Sequence, residues 1–237
     1  NETWAIAAID LSDHAYSTVN AEASLQSASV IKAFIMAAVF DKLVYTDGAT
    51  EPSSDYESSL KSLLTQMITV SDNDAANELA RRLGGWDFQK GASVLNEFCQ
   101  EHGYTSTHLG REFLASNPTD DNYTSASDCC RLLSDIYSGT MVNADASADM
   151  LALLKAQTRT GKIPSGVPSG VETANKTGEL SAGDGLGIVE NDIAIVFDKE
   201  HPYVLCVPSN SIRNNPSAQE TIQKISADVY QYMTSRK

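Results

Sequence analysis

Few features of this chain point toward a membrane, a metal or a nucleic acid. No apolar run is long enough to span a bilayer: the best, Val30 to Phe40, is broken by Lys32 and falls short of the roughly 18–20 residues required. Cysteine is scarce, and the spacing of Cys99, Cys129, Cys130 and Cys206 fits no zinc pattern. Histidine is equally sparse. His14, His102, His108 and His201 form no pair at helical ligand spacing, so they read as surface or capping residues and no metal is expected. Basic residues are outnumbered, with 17 Lys and Arg against 31 Asp and Glu, a formal charge of −14. Such a chain repels nucleic acid and anionic lipid, so neither is an expected partner, and the acidity itself reads as solubility. There is no internal repeat and no low-complexity linker.

What is present is an ordinary globular composition, 42% hydrophobic and 20% charged over 237 residues. That length supports one large domain or two intimately packed ones with a sizeable core. Cys206, in the apolar run Tyr203 to Val207, reads as a small buried hydrophobe. Cys129 and Cys130 are adjacent on a predicted helix; a bridge from Cys99 to one of them and free buried thiols both stay open. The chain opens directly in a strand-like segment, so an export signal has been removed or the protein is cytosolic.

Periodicity places strands at both ends and helices between. Trp4 to Leu11 and His14 to Ala21 read as a hairpin across Ser12 and Asp13. Ser29 to Leu43 carries apolar residues at helical spacing on a broad face, which suits a buried central helix, with Ser27 or Ser29 as its cap. Helices are predicted over Leu60 to Val70, Asp74 to Leu83 (stopped by Gly84 and Gly85), Trp86 to His102, Ser125 to Tyr137 (capped by Thr124 or Ser127) and Ala144 to Gln157. Strands follow at Glu172 to Lys176, leading into Thr177 and Gly178, then at Asn191 to Phe197 and Pro202 to Pro208. Asn214 to Ser235 is the last helix. The economical fold is α/β (α+β): one antiparallel sheet from both termini, flanked by the first and last helices, with an all-helical domain inserted. The expected division is 1–45 with 158–237, and 46–157.

Three short motifs carry the chemistry. Ser29-Val30-Ile31-Lys32 puts a hydroxyl and an amine one turn apart at a helix start. A serine hydroxyl is a poor nucleophile until a base takes its proton. Lysine is such a base only when neutral, so its pKa must fall from near 10.4 to about 7. Packing against Phe34 and Ile35 and a second cation, Lys176, are the expected causes. Backbone N–H groups at the helix start can hold an oxyanion. Ser71-Asp72-Asn73 falls in a loop between helices, and Lys176-Thr177-Gly178 on a strand. Each motif alone has a plain structural explanation, as a cap or a strand end. The three together, in this order, are the equipment of a serine acyl-transfer enzyme.

With these motifs the chain resembles the class A β-lactamase and penicillin-binding-protein superfamily over nearly its whole length. The flanking text Ile68 to Asn77 and Gly166-Val167-Pro168 adds to the likeness. The resemblance implies Ser29 as acylated nucleophile and Lys32 as its base or the base's partner. It implies Ser71 as proton relay, Asn73 as partner of the substrate's amide side chain, and Lys176 and Thr177 as holders of a substrate carboxylate. It makes Gly178 the point of close strand approach, and the backbone N–H groups of Ser29 and Glu179 the oxyanion hole. It implies no cofactor and no metal, a small β-lactam or acyl-peptide substrate, a monomer, and a secreted, periplasmic or cell-surface location linked to antibiotic resistance.

The likeness breaks in one place. Class A members carry a deacylating glutamate followed four positions later by asparagine. Here Glu112 precedes Asn117 by five, in a loop that is several residues short. Glu112 is either that base or an ordinary surface carboxylate beside Arg111; Asp120 and Asp121 fit less well. The expectation is a hydrolase acylated at Ser29 by β-lactam amides that turns them over slowly. The alternatives are a D,D-peptidase or esterase on cell-wall peptides, and a penicillin-binding sensor that does not hydrolyse. Lys176, with Arg159 or Lys162, is expected to offset the negative global field locally.

Overall fold

The computed structural model of the chain describes residues 2–115, 119–181 and 187–236. Strands β1 (Thr3–Trp4), β2 (Ile6–Asp10), β3 (Tyr16–Val19) and β4 (Leu25–Gln26) open it. Helices α1 (Lys32–Val39), α2 (Lys61–Thr69), α3 (Asn73–Leu83) and α4 (Phe88–Glu101) follow, then β5 (Tyr123–Thr124), α5 (Ala126–Tyr137), α6 (Ala144–Lys155) and the short α7 (Ile163–Gly166). Strands β6 (Glu172–Leu180), β7 (Val189–Phe197), β8 (Tyr203–Val207) and β9 (Ser209–Asn210) lead to α8 (Asn215–Ser235).

Five strands form one antiparallel sheet in the order β3-β2-β8-β7-β6, drawn from both ends of the sequence as predicted. Successive side chains of a strand point to opposite faces. On β7, Ile193 and Ile195 therefore enter the core with α1, while Ala194 and Val196 meet Ile163, Ile222 and Met233 beneath α7 and α8. Burial on both faces explains why the second half of β7, from Ile193 to Phe197, is apolar without alternation.

All eight residues of α1 are buried, Lys32 among them. The preceding turn, Ala28–Ile31, is a 3-10 helix, so Ser29 sits on a tighter spiral than the predicted continuous α-helix. Neither Ser27 nor Ser29 caps it; the side chain that meets its first N–H is that of Gln26, whose Oε1 accepts from Ala28 N at 2.5 Å. The chain enters this turn through Ala28 at φ 45°, a left-handed conformation that itself redirects the backbone. At α5 the cap is Ser125, which accepts from Asp128 N at 3.1 Å, and not Thr124 or Ser127. The predicted strand end at Lys176 is also corrected: β6 runs on to Leu180, so the whole Lys-Thr-Gly segment is paired with β7. The four cysteines are free and buried. Among the described residues no helix is long and apolar enough to cross a membrane and no cluster of metal-binding side chains occurs.

Candidate active site

Three elements converge below the edge of the sheet. The first is the 3-10 turn with its partly exposed Ser29. The second is the elbow between α2 and α3. Val70 ends the helical path, Ser71 takes φ 63°, and Asp72 restarts a helix by accepting from Ala75 N at 2.7 Å. The third is β6, an edge strand of the sheet.

Gly178 lets β6 close onto the Ser29 turn. A Cβ there would lie 2.8 Å from Ser27 O, 2.9 Å from Ser29 N and 3.0 Å from Val30 N, all backbone atoms that cannot step aside. Asn191, from the neighbouring strand, donates to Gln26 O and Ser27 O at 3.0 Å each and fixes the same approach.

Lys32 donates to Ser71 O at 2.7 Å, Ser71 Oγ at 3.2 Å and Asn73 Oδ1 at 2.6 Å. Ser29 is not among its partners. Lys176 donates to Ser71 Oγ at 2.9 Å and Thr177 O at 2.8 Å. The Ser71 hydroxyl thus lies between two buried amines. It can accept from a protonated one and donate to a neutral one, which makes it a proton conduit.

Burial lowers the pKa of Lys32 to about 7; the Asp72 charge opposes this and the Arg159 charge adds to it. The expected second cation, Lys176, shares Ser71 Oγ with Lys32 and interacts with its charge, and Arg159 adds a further positive charge that the sequence reading did not assign. The ammonium tip meets the Phe113 ring, 4.6 Å from its centre, a contact the sequence reading assigned to Phe34 and Ile35. Lys176 is lowered too, by burial first, then by Lys32, Arg159 and Lys162, with Asp192 opposing.

Glu112 lies apart from this cluster. Its carboxylate pairs with Arg81, 2.7 Å from Nη2, and not with Arg111. Arg111 is held by Asp121 at 2.6 Å, and its backbone N–H donates to Asn122 Oδ1 at 3.1 Å. Asn117 lies outside the described residues. The loop residue facing Lys32 is Phe113, clamped by Asn77 through Phe113 N to Oδ1 at 2.8 Å and Nδ2 to Phe113 O at 3.1 Å. Sequence reasoning missed both. The signal was the spacing: Asn73 and Asn77 are four apart on α3, so both face the site.

A cavity of about 110 Å³ opens beside Ser29, walled by Asn73, Phe113, Leu114 and Glu179. Glu179 pairs with Arg159. Thr177 Oγ1 is buried without a hydrogen-bond partner. Lys162, expected to face the site as a cation, is tied to Glu190 and to the carbonyls of Gly178 and Asn191 at 3.3 and 3.0 Å.

An antiparallel sheet flanked by helices, with the Ser29 turn leading into the buried helix that carries Lys32, matches the fold of the class A β-lactamases. The chain belongs to the beta-lactamase enzyme family, whose model matches residues 1–233. It is 26% identical over 223 residues to Beta-lactamase 3 of Bacillus cereus, covering 89% of this chain and 67% of that one. It is 29% identical over 163 residues to a β-lactamase of Citrobacter koseri, covering 67% of this chain and 52% of that one, about half its length. Among solved structures it resembles PBP-A, at a TM-score of 0.81 and 25% identity, covering 100% of this chain and 91% of the other. A variant of the class A β-lactamase of the last common ancestor of Gram-negative bacteria shares the fold. Its TM-score is 0.80 at 19% identity, over 99% of this chain and 94% of the other.

Proposed function

We propose that this protein is a serine hydrolase that β-lactam amides acylate at Ser29 and that releases the acyl group slowly. The observation that carries this reading is the Ser71 hydroxyl held between Lys32 and Lys176 at 3.2 and 2.9 Å, beside the Ser29 turn. In this reading Ser29 Oγ attacks the lactam carbonyl as Lys32, neutral above about pH 7, takes its proton. The Oγ–C bond forms, the C–N bond breaks, and Ser71 hands a proton to the departing nitrogen. The backbone N–H groups of Ser29 and Glu179 receive the oxyanion. Thr177 O faces out of the sheet toward Lys176 Nζ, and Glu179, two residues on, presents its N–H on the same edge. One such donor is worth about 3–4 kcal/mol of barrier. Lys176 and Thr177 hold the substrate carboxylate. Asn73, whose Oδ1 already accepts from Lys32, keeps its amide N–H group for the substrate's side chain.

Slow release follows from what faces the acyl group. Phe113 offers no lone pair to a water, Glu112 is paired with Arg81, and Glu179 is engaged by Arg159. A variant of PBP-A, similar at 25% identity, has been solved as its acyl-enzyme complex with penicillin G, which supports β-lactams as the acylating class. The same groups would serve a D,D-peptidase or esterase, a reading favoured by the phenyl wall, which leaves the acyl group for an acceptor other than water. With either activity the reading is of an exported protein, secreted, periplasmic or held at the cell surface, that acts as a monomer.

The test is time-resolved intact mass after mixing with penicillin G. One adduct that persists is expected, and none for Ser29→Ala. An adduct on Ser29→Ala removes the nucleophile assignment. Many turnovers per second of a chromogenic cephalosporin would exclude slow release.

A further inference from the structure

We propose that the Glu179 side chain is a built-in anion that competes with a substrate carboxylate for Arg159, so that the site favours a free acid over its uncharged ester less than Lys176, Thr177 and a freed Arg159 together would. The proposal rests on the reading that Ser29 is acylated by β-lactams, and adds what tunes its preference among them.

Glu179 stands between two hollows. One is the cavity beside Ser29. The other, about 330 Å³, is lined by Arg159, Lys162, Thr177 and Gln219. Its carboxylate pairs with Arg159 Nη1 and lies 3.9 Å from Lys162 Nζ. The other cations at this edge are partly or wholly committed. Lys176 gives two of its three donors to Ser71 Oγ and Thr177 O and keeps one for a substrate carboxylate, and Lys162 is spent on buried Glu190. Arg159, half-exposed, is the further cation with donors to give. Its backbone is pinned, with N–H donating to Gln157 Oε1 at 3.0 Å and the carbonyl accepting from Asn175 Nδ2 at 3.2 Å. A guanidinium fork suits one carboxylate in two-pronged contact. Glu179 Oε1 already takes one prong, Nη1, while the buried Thr177 Oγ1 is unpartnered. An incoming carboxylate must therefore turn the Glu179 side chain aside to gain the whole fork, and then sit near its charge. An uncharged ester meets neither obstacle. Because the Arg159–Glu179 pair is partly exposed, the barrier is modest, and carboxylates are slowed rather than barred.

The test compares second-order acylation rates of penicillin G and its methyl ester by intact mass, in the wild type, Glu179→Gln, Glu179→Ala and Arg159→Gln. The acid-to-ester ratio within each protein removes any change in intrinsic reactivity. The ratio is expected to rise about fivefold in both Glu179 variants and to fall in Arg159→Gln. The gain should shrink in about 1 M salt, where screening is nearly complete within ~3 Å. If both compounds still acylate and neither Glu179 variant raises the ratio, the competition is refuted. If neither compound acylates the wild type, the functional reading fails, and the inference with it.

Discussion

The Lys32 ammonium stands 4.6 Å from the centre of the Phe113 ring, and Asn77 grips the Phe113 backbone from both sides. A ring in that place favours a cation over its face but cannot take a proton from water. Replacing it by a carboxylate should supply the missing base. Phe113→Glu is expected to raise release of the acyl group by about 10²-fold, the lower range for a positioned base. Intact mass should show the penicillin adduct decaying, and steady-state turnover should appear. The new negative charge also favours protonated Lys32, so the pH dependence of acylation should move to higher pH. An adduct as long-lived as that of the wild type would mean Phe113 does not face the acyl group.

Acylation should rise with pH through an inflection near 7, where Lys32 loses its proton. Stability carries the same signature. Between about 7 and the ordinary value of 10.5 the unfolded chain holds a proton on this amine that the folded chain does not. The unfolded state binds more protons there, so stability rises with pH across that window. Lys32→Met should abolish acylation and remove this part of the slope. Denaturant melts of both proteins from about pH 6.5 to 10.5 measure the difference; parallel curves would place the titration elsewhere.

Much of this was legible in the sequence. Strands at both ends and helices between follow from periods of two and 3.6 residues, and they assemble into one sheet because the β2–β8 pairing joins the chain's two ends. Where the reading failed, periodicity had nothing to act on. In the loop at 110–115 adjacent side chains go opposite ways: Glu112 turns out to Arg81 and Phe113 turns in to Lys32. A difference of one residue therefore exchanges a carboxylate for a phenyl ring, and only the anchors Arg111–Asp121 and Asn77 settle it. The same holds at α5, where Thr124, Ser125 and Ser127 are all capable caps and the backbone path selects Ser125.

Gly178→Ala tests the strand's approach to the nucleophile. The added methyl carbon would meet Ser27 O, Ser29 N and Val30 N at 2.8–3.0 Å. Relief requires β6 to retreat, which also moves Glu179 N and the Lys176 amine. A loss of about 1–3 kcal/mol in stability is expected. Acylation should slow by about 10²-fold, as misplacement by an ångström does. Denaturant midpoints and adduct-formation rates report the two losses separately; normal acylation would show that the oxyanion donors lie elsewhere.

Ser71 at φ 63° is held in a conformation that side chains other than glycine resist. Its hydroxyl explains why a serine stands there, since it joins Lys32 and Lys176 at 3.2 and 2.9 Å. Function and backbone preference thus oppose each other at one residue. Ser71→Gly relieves the strain and Ser71→Ala does not, so glycine should be the more stable variant by about 1 kcal/mol. Both lack the relay and should acylate at least ~10²-fold more slowly. Thermal melts and mass-detected acylation on the two variants separate the effects. A glycine variant less stable than alanine would mean that the left-handed backbone at this position stores no strain.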